Sequence, residues 1–176
     1  VKGLSADEAV LLDPQKVNYA IDSSIQGKKV EKANPTQLAK AIKNPVELEN
    51  IRNAHIKDGV AFTKFMYWLK TNVGKIPMTE ISAADYLLAC RAEQEGFIEP
   101  SFDTISAYKA NAAMMHYSAT KESDAVLQAE GMLLVDSGGQ YYEGTTDITR
   151  TMVLGPITDE QKLHFTTVLR SNLNLA

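Results

Sequence analysis

Cysteine is nearly missing from this 176-residue chain: Cys90 stands alone. It has no partner for an internal disulfide, which fits a reducing compartment. Long apolar runs are missing too. Stretches such as Met132-Leu133-Leu134-Val135 stop after a few residues, far short of the roughly 20 that a membrane-spanning helix needs, so no membrane association is expected. The first residues show no basic stretch followed by an apolar one, the mark of a secretory signal. A cytoplasmic location is the expectation. Basic charge is also scarce, with 18 Lys and Arg against 22 Asp and Glu and a pI near 5.4. A chain with that balance and no basic stripe is a poor nucleic-acid binder.

What is present is ordinary globular composition: 44% apolar and 23% charged residues, enough to bury a core. Charge is uneven along the chain. Residues 1–75 carry 12 Lys and Arg against 8 Asp and Glu, a net of +4; residues 76–176 carry 6 against 14, a net of −8. An acidic second half tolerates a bound cation, although a solvated acidic surface explains the same count.

The first residues read as short mixed elements. Asp13-Pro14 is a turn signal, Val17–Ile21 suits a strand or a short helix, Lys28–Lys32 reads as a solvated stretch, and Asn34-Pro35 marks a turn and candidate linker. A long helix begins at Asn44, which can cap, with Pro45 in the first helical position and Glu47 three residues after the cap. Its apolar residues run from Leu48 to Val73, and Gly74 is a natural stop. A second helix spans Thr79 to about Glu95 and ends before Gly96. Ile81, Ala84, Leu88 and Ala92 are its expected buried face. Strands are expected at Phe102–Tyr108 and Ala113–Tyr117, then a strand pair at Gly131–Gln140 and Thr145–Leu154. Thr158-Asp159-Glu160-Gln161 is a capping box opening a last helix, with Leu163, Val168, Leu169 and Leu173 as its apolar face. That helix has no stop signal, and the chain starts at Val1, so it reads as an internal piece of a longer protein.

The chemistry concentrates in Asp136–Thr151. If the flanking strands form an antiparallel hairpin centred between Tyr141 and Tyr142, Asp136 and Asp147 are direct cross-strand neighbours, with Cβ atoms roughly 4.5–5.5 Å apart. Facing carboxylates destabilise a sheet unless they share a proton or a cation. A divalent ion bound through oxygens is the economical answer. A plainer arrangement is open as well: Asp136 starting a Gly-rich turn, and Asp147 an exposed strand residue. Aspartate is depleted in strand interiors, which weighs against it.

This segment resembles the first metal-ligand hairpin of the pita-bread metallopeptidases, and within them aminopeptidase P, the Xaa-Pro aminopeptidases. The resemblance rests on the eleven-residue aspartate spacing followed by Ile148-Thr149-Arg150-Thr151. Asn53–Asp58 with Thr79–Asp85 resembles the two leading helices of the three-domain cytosolic branch, and Asn111–Tyr117 resembles its histidine strand. The implied fold is α+β: the first half of a pita-bread catalytic domain at 44–176, helices packed on a curved, mainly antiparallel sheet. Residues 1–43 become the tail of a preceding creatinase-like, non-catalytic domain and linker.

The resemblance implies that Asp136 ligates one metal and Asp147 bridges two. It places His116 beside the scissile bond as a catalytic residue that hydrogen-bonds substrate. It also implies that Thr149, and with it Arg150, orients Asp147; strand alternation puts Thr149 on the face of Asp147 and Arg150 on the other. One histidine and two glutamates complete the ligand set beyond the chain end; His164, on the last helix, is not one of them. The implied cofactor is a pair of divalent ions, manganese by family habit, and the implied parent is a homodimer that cleaves before a proline in the second position of a peptide. The isolated piece is expected to be inactive and to hold no metal. An Xaa-Pro dipeptidase of the same fold and a non-catalytic pita-bread peptide- or protein-binding module are the alternatives. Blander roles fall to His55, Trp68 and Tyr67 on the long helix, to Cys90 as a half-buried helix residue, and to a solvent-exposed Glu143. Tyr141 and Tyr142 have no assigned role.

Overall fold

A computed structural model describes residues 3–176. The chain divides into two compact units, one ending at Pro45 and the other beginning at Val46.

In the smaller unit, β1 (Ala9–Leu12) and β2 (Lys28–Glu31) pair in parallel around a six-residue helix, α1 (Tyr19–Ser24). Lys28–Glu31 is therefore a strand rather than a stretch without regular structure, and it is as solvated as its composition implied. Only Val30 of its four residues is partly buried, so the apolar signal was weak. Asn34-Pro35 is not a linker either. Asn34 caps α2 (Pro35–Ala41), its side chain accepting from Thr36 N, with Pro35 at the helix start.

The larger unit opens with α3 (Pro45–Asn72) and α4 (Glu80–Ala92). Gly74 and Gly96 follow them with φ of 76° and 78°, the left-handed conformation that glycine adopts at no steric cost. Thr79 and Ser82 form a reciprocal capping box at the start of α4. Six strands follow, all paired antiparallel. One sheet has the order β4 (Ile105–Tyr108), β5 (Met132–Ser137), β8 (Ile148–Val153). The other has the order β3 (Phe97–Pro100), β6 (Gly139–Tyr141), β7 (Gly144–Thr145). The last helix, α5 (Asp159–Leu175), starts at the expected box of Thr158 and Gln161.

The core lies between the helices and the β4–β5–β8 sheet. Phe62, Phe65 and Leu69 of α3 and Leu87 of α4 pack with Leu133 and Val135 of β5 and Met152 of β8. Phe62 and Phe65 meet edge to face, their centroids 5.7 Å apart. Trp68 stacks on Tyr86 at 3.8 Å, while Tyr67 is exposed.

Several expectations need correction. The buried face of α4 is Glu80, Ala83, Leu87, Cys90 and Arg91, one position round from the expected Ile81, Ala84, Leu88 and Ala92; Leu88 is exposed. Two charged residues lie on the true face, and they hid it from an apolar count. The segment at Ala113–Tyr117 is not a strand. A 3-10 helix at Lys109–Ala113 leads into a turn. Leu163, Val168, Leu169 and Leu173 of α5 are all exposed. Cys90 is buried rather than half-buried.

Candidate metal site

The aspartate strands follow one register throughout. In the β5–β8 ladder and again in the β6–β7 ladder, opposite residue numbers add to 285: Asp136 faces Thr149, and Gln140 faces Thr145. The hairpin is thus centred between Tyr142 and Glu143, one residue later than expected. Tyr141 is buried, with its ring edge-on to Phe97 at 5.6 Å, and this holds it in the strand and leaves Tyr142 in the turn. Asp136 and Asp147 are consequently not direct cross-strand partners. Moving the centre by one residue slides the partner by two, which preserves the faces.

The residue opposite Asp136 is Thr149, whose hydroxyl donates to Asp136 Oδ1 at 2.8 Å. Thr149 thus bonds Asp136 rather than the expected Asp147. Asp147 precedes β8 and falls where the two ladders part, across from Gly138. A Cβ at Gly138 would lie 2.0 Å from the Thr146 carbonyl oxygen and 2.2 Å from Ser101 Oγ. The backbones therefore approach too closely there for any side chain. Asp136 is half-buried and Asp147 exposed. The buried residues of β5 are Leu133, Val135 and Ser137, so Asp136 lies on the face turned from the core.

Two carboxylates make an all-oxygen donor set, the chemistry that suits a hard or borderline divalent cation. Among the described residues no group of three His, Cys, Asp or Glu is placed to hold a metal. The aspartates fit such an ion as part of a donor set rather than as a whole one.

His116 is exposed, with a left-handed φ of 56°. A residue with a Cβ is uncommon there. Its neighbour Tyr117 is buried and donates from its hydroxyl to Glu80 Oε2 at 2.8 Å. Burial, foremost, and the Glu80 carboxylate hold the Tyr117 phenol above its ordinary range, although the Ser123 bond opposes this. Glu80 is itself wholly buried. It also accepts from Tyr108 N at 2.6 Å, Asn111 Nδ2 at 3.0 Å and Ala125 N at 3.1 Å. One carboxylate therefore ties the start of α4 to both sides of the His116 turn.

A second buried centre lies behind the aspartates. Arg91 of α4 pairs with Asp58 of α3, Nε to Oδ1 at 2.5 Å and Nη2 to Oδ2 at 3.2 Å. Asp58 also accepts from Tyr141 and Thr146, and Arg91 Nη2 donates to Ser137. Burial, then the Asp58 charge, raises the Tyr141 phenol pKa far above its usual value. Sequence reasoning missed Asp58, Glu80 and Arg91. A signal was present: Asp58 falls in line with Ala54, Ala61, Phe62 and Phe65, and Glu80 and Arg91 with Ala83 and Leu87, each at helical spacing. Glu143, expected in solvent, pairs with Lys57 and is partly buried.

The helices and antiparallel strands match the pita-bread fold of aminopeptidase P and prolidase structures. Residues 49–176 match the model of metallopeptidase family M24, and the chain belongs to that family. Xaa-Pro aminopeptidase 2 of Mus musculus is 40% identical over 174 residues, which cover 98% of this chain and 26% of that protein. A probable Xaa-Pro aminopeptidase P of Chaetomium globosum is 40% identical over 178 residues, covering 99% and 28%. The crystal structure of the Caenorhabditis elegans X-prolyl aminopeptidase, described as a cytosolic enzyme with a di-nuclear active site, superposes with a TM-score of 0.89 at 38% identity, covering 96% of this chain and 28% of that one. The prolidase of Pyrococcus horikoshii superposes at 0.75 with 22% identity, covering 98% and 48%, a likeness of fold alone. The chain spans about a quarter of the length of the curated relatives it matches. The family drawn from Asp136–Thr151 is borne out.

Proposed function

We propose that this chain is part of an Xaa-Pro aminopeptidase, a metal-dependent hydrolase that releases an N-terminal residue from a following proline. The supporting observation is the Asp136–Thr149–Asp147 arrangement where the two ladders part. Strand alternation counted back from Thr149 carries Asp147 to the face of Asp136 as its diagonal neighbour, on the order of 7–8 Å away between backbones. That spacing suits two carboxylates sharing a pair of ions better than one proton.

When bound, a pair of divalent ions, manganese in our reading, would lower the pKa of water toward neutrality. Asp136 and Asp147 would hold such ions through their carboxylate oxygens. Thr149 donates to Asp136 Oδ1 and so orients that carboxylate. His116, held out from its turn by the anchored Tyr117, hydrogen-bonds the substrate and steadies charge on the carbonyl oxygen as it develops. One histidine and two glutamates outside this sequence complete the donors. Residues 44–176 form the first half of the catalytic domain, and residues 1–43 belong to the domain before it. Peptides with proline in second position are the substrates, the whole protein is a cytosolic homodimer, and the 176-residue piece alone is inactive and binds metal weakly or not at all.

The test is release of the first residue from an Xaa-Pro-Xaa peptide by the full-length protein with manganese. Loss of turnover in both Asp136→Asn and Asp147→Asn is the expected result. Cleavage of Xaa-Pro dipeptides alone would point to a dipeptidase instead. Peptide binding without cleavage would point to a non-catalytic module. Turnover by the 176-residue piece would overturn the ligand assignment.

A further inference from the structure

A buried ion pair is weak evidence for stability, because well-packed apolar residues often serve as well or better. The Asp58–Arg91 pair, both members essentially inaccessible to solvent, therefore calls for another role, and its partners point to one. Thr146 donates to Asp58 Oδ2 at 2.7 Å, and Ser137 accepts from Arg91 Nη2 at 3.1 Å. Ser137 directly follows Asp136, and Thr146 directly precedes Asp147.

Thr146 is engaged at every polar atom. Its amide donates to Gly139 O at 2.9 Å, and its carbonyl accepts from Ser101 Oγ at 2.9 Å. Its hydroxyl, while donating to Asp58, accepts from Gly139 N at 2.9 Å. On its other side Asp147 is followed by Ile148, which lies in the β5–β8 ladder opposite Ser137. The backbone of Asp147 is thus fixed on both sides although the residue itself falls where the ladder is interrupted. Two ions held at a set spacing need such fixed donors, since supporting groups that orient metal ligands are worth about 10–100-fold in affinity.

We propose that the buried Asp58–Arg91 pair, acting through Thr146 and Ser137, is the mount that sets the separation of Asp136 and Asp147, and that these four are positioning residues for a divalent cation. The proposal rests on the reading of Asp136 and Asp147 as metal-binding residues.

The test is calorimetric titration of the metal-free full-length protein with manganese, at a temperature where circular dichroism shows each variant folded. Thr146→Val removes the hydroxyl at nearly constant volume and is expected to weaken manganese binding by about tenfold or more. Thr146→Ser restores the hydroxyl and is expected to return affinity to within about threefold, a rescue that loss of packing alone would not produce. Asp136→Asn is the control for the underlying reading. Wild-type affinity in folded Thr146→Val, with affinity lost in Asp136→Asn, overturns the mount and leaves the metal site standing. Wild-type affinity in Asp136→Asn overturns the metal reading and the mount with it. Equal losses in the Val and Ser variants also overturn the mount, because the hydroxyl is then not the cause. If Thr146→Val does not fold, Ser137→Ala decides: at least threefold weaker binding is expected, and unchanged binding overturns the proposal.

Discussion

Replacing Glu80 by glutamine exchanges one atom and should cost much of the stability of the larger unit. Glu80 Oε1 accepts from Tyr108 N and Asn111 Nδ2, and Oε2 from Tyr117 Oη and Ala125 N. A carboxylate satisfies all four donors because it only accepts. An amide must turn its NH2 toward one pair. The Tyr117 hydroxyl can rotate and accept, but the backbone N–H groups of Tyr108 and Ala125 cannot. Either orientation therefore sets one buried backbone donor against another donor. An unsatisfied buried donor costs about 1–3 kcal/mol, and bonds to a charged acceptor are worth about 1.5–3 kcal/mol each. The expected destabilisation is about 3 kcal/mol, more than most single substitutions produce. Urea unfolding of wild type and Glu80→Gln, followed by far-UV circular dichroism, measures it, with Glu80→Asp as a second variant that keeps the charge but shortens the reach. A change below about 1 kcal/mol in Glu80→Gln would refute the account of Glu80 as a buried four-donor hub.

Three further outcomes are expected. Gly138→Ala forces a Cβ to within 2.0 Å of the Thr146 carbonyl oxygen, and overpacking of this kind costs about 1–3 kcal/mol or more; a melting temperature equal to that of wild type would contradict the close approach. Burial raises the Cys90 thiol above its ordinary pKa, reinforced by the nearby Glu93 charge, so Cys90 should react with a thiol-specific disulfide reagent at pH 8 only as fast as the protein unfolds, and rapid stoichiometric labelling of the native protein would count against this. The Glu143 carboxyl is held below its ordinary 4.5 chiefly by the Lys57 hydrogen bond; a lowered folded value means that its contribution is fully present above 4.5 and is lost as pH falls through the folded value, so the stability gap between wild type and Glu143→Gln should close on acidification below that range and stay flat above it, as urea midpoints at several pH values will show.

The sequence by itself determined the elements whose signals are local. Pro45 after Asn44, Thr79 before α4, the Thr158–Gln161 box and the stops at Gly74 and Gly96 each depend on backbone chemistry within a few residues, and each marks a real helix end to within a few positions. The spacing of Asp136 and Asp147 and the Ile148–Thr151 run were equally legible, because a motif is carried in one short stretch, and they sufficed to name the family. Only the tertiary structure decided the register between the aspartate strands, which turns on burying Tyr141 rather than on the symmetry of the segment. It also decided which face of α4 points inward. Glu80 and Arg91 read as polar surface in a count of apolar residues, and they are buried because their partners come from elsewhere: Arg91 meets Asp58 33 positions away, Glu80 meets Tyr117 37 positions away, and Asp58 meets Thr146 88 positions away. A charge enters a core only where the folded chain supplies its counter-charge and hydrogen bonds, and contacts across such separations are created by the fold itself.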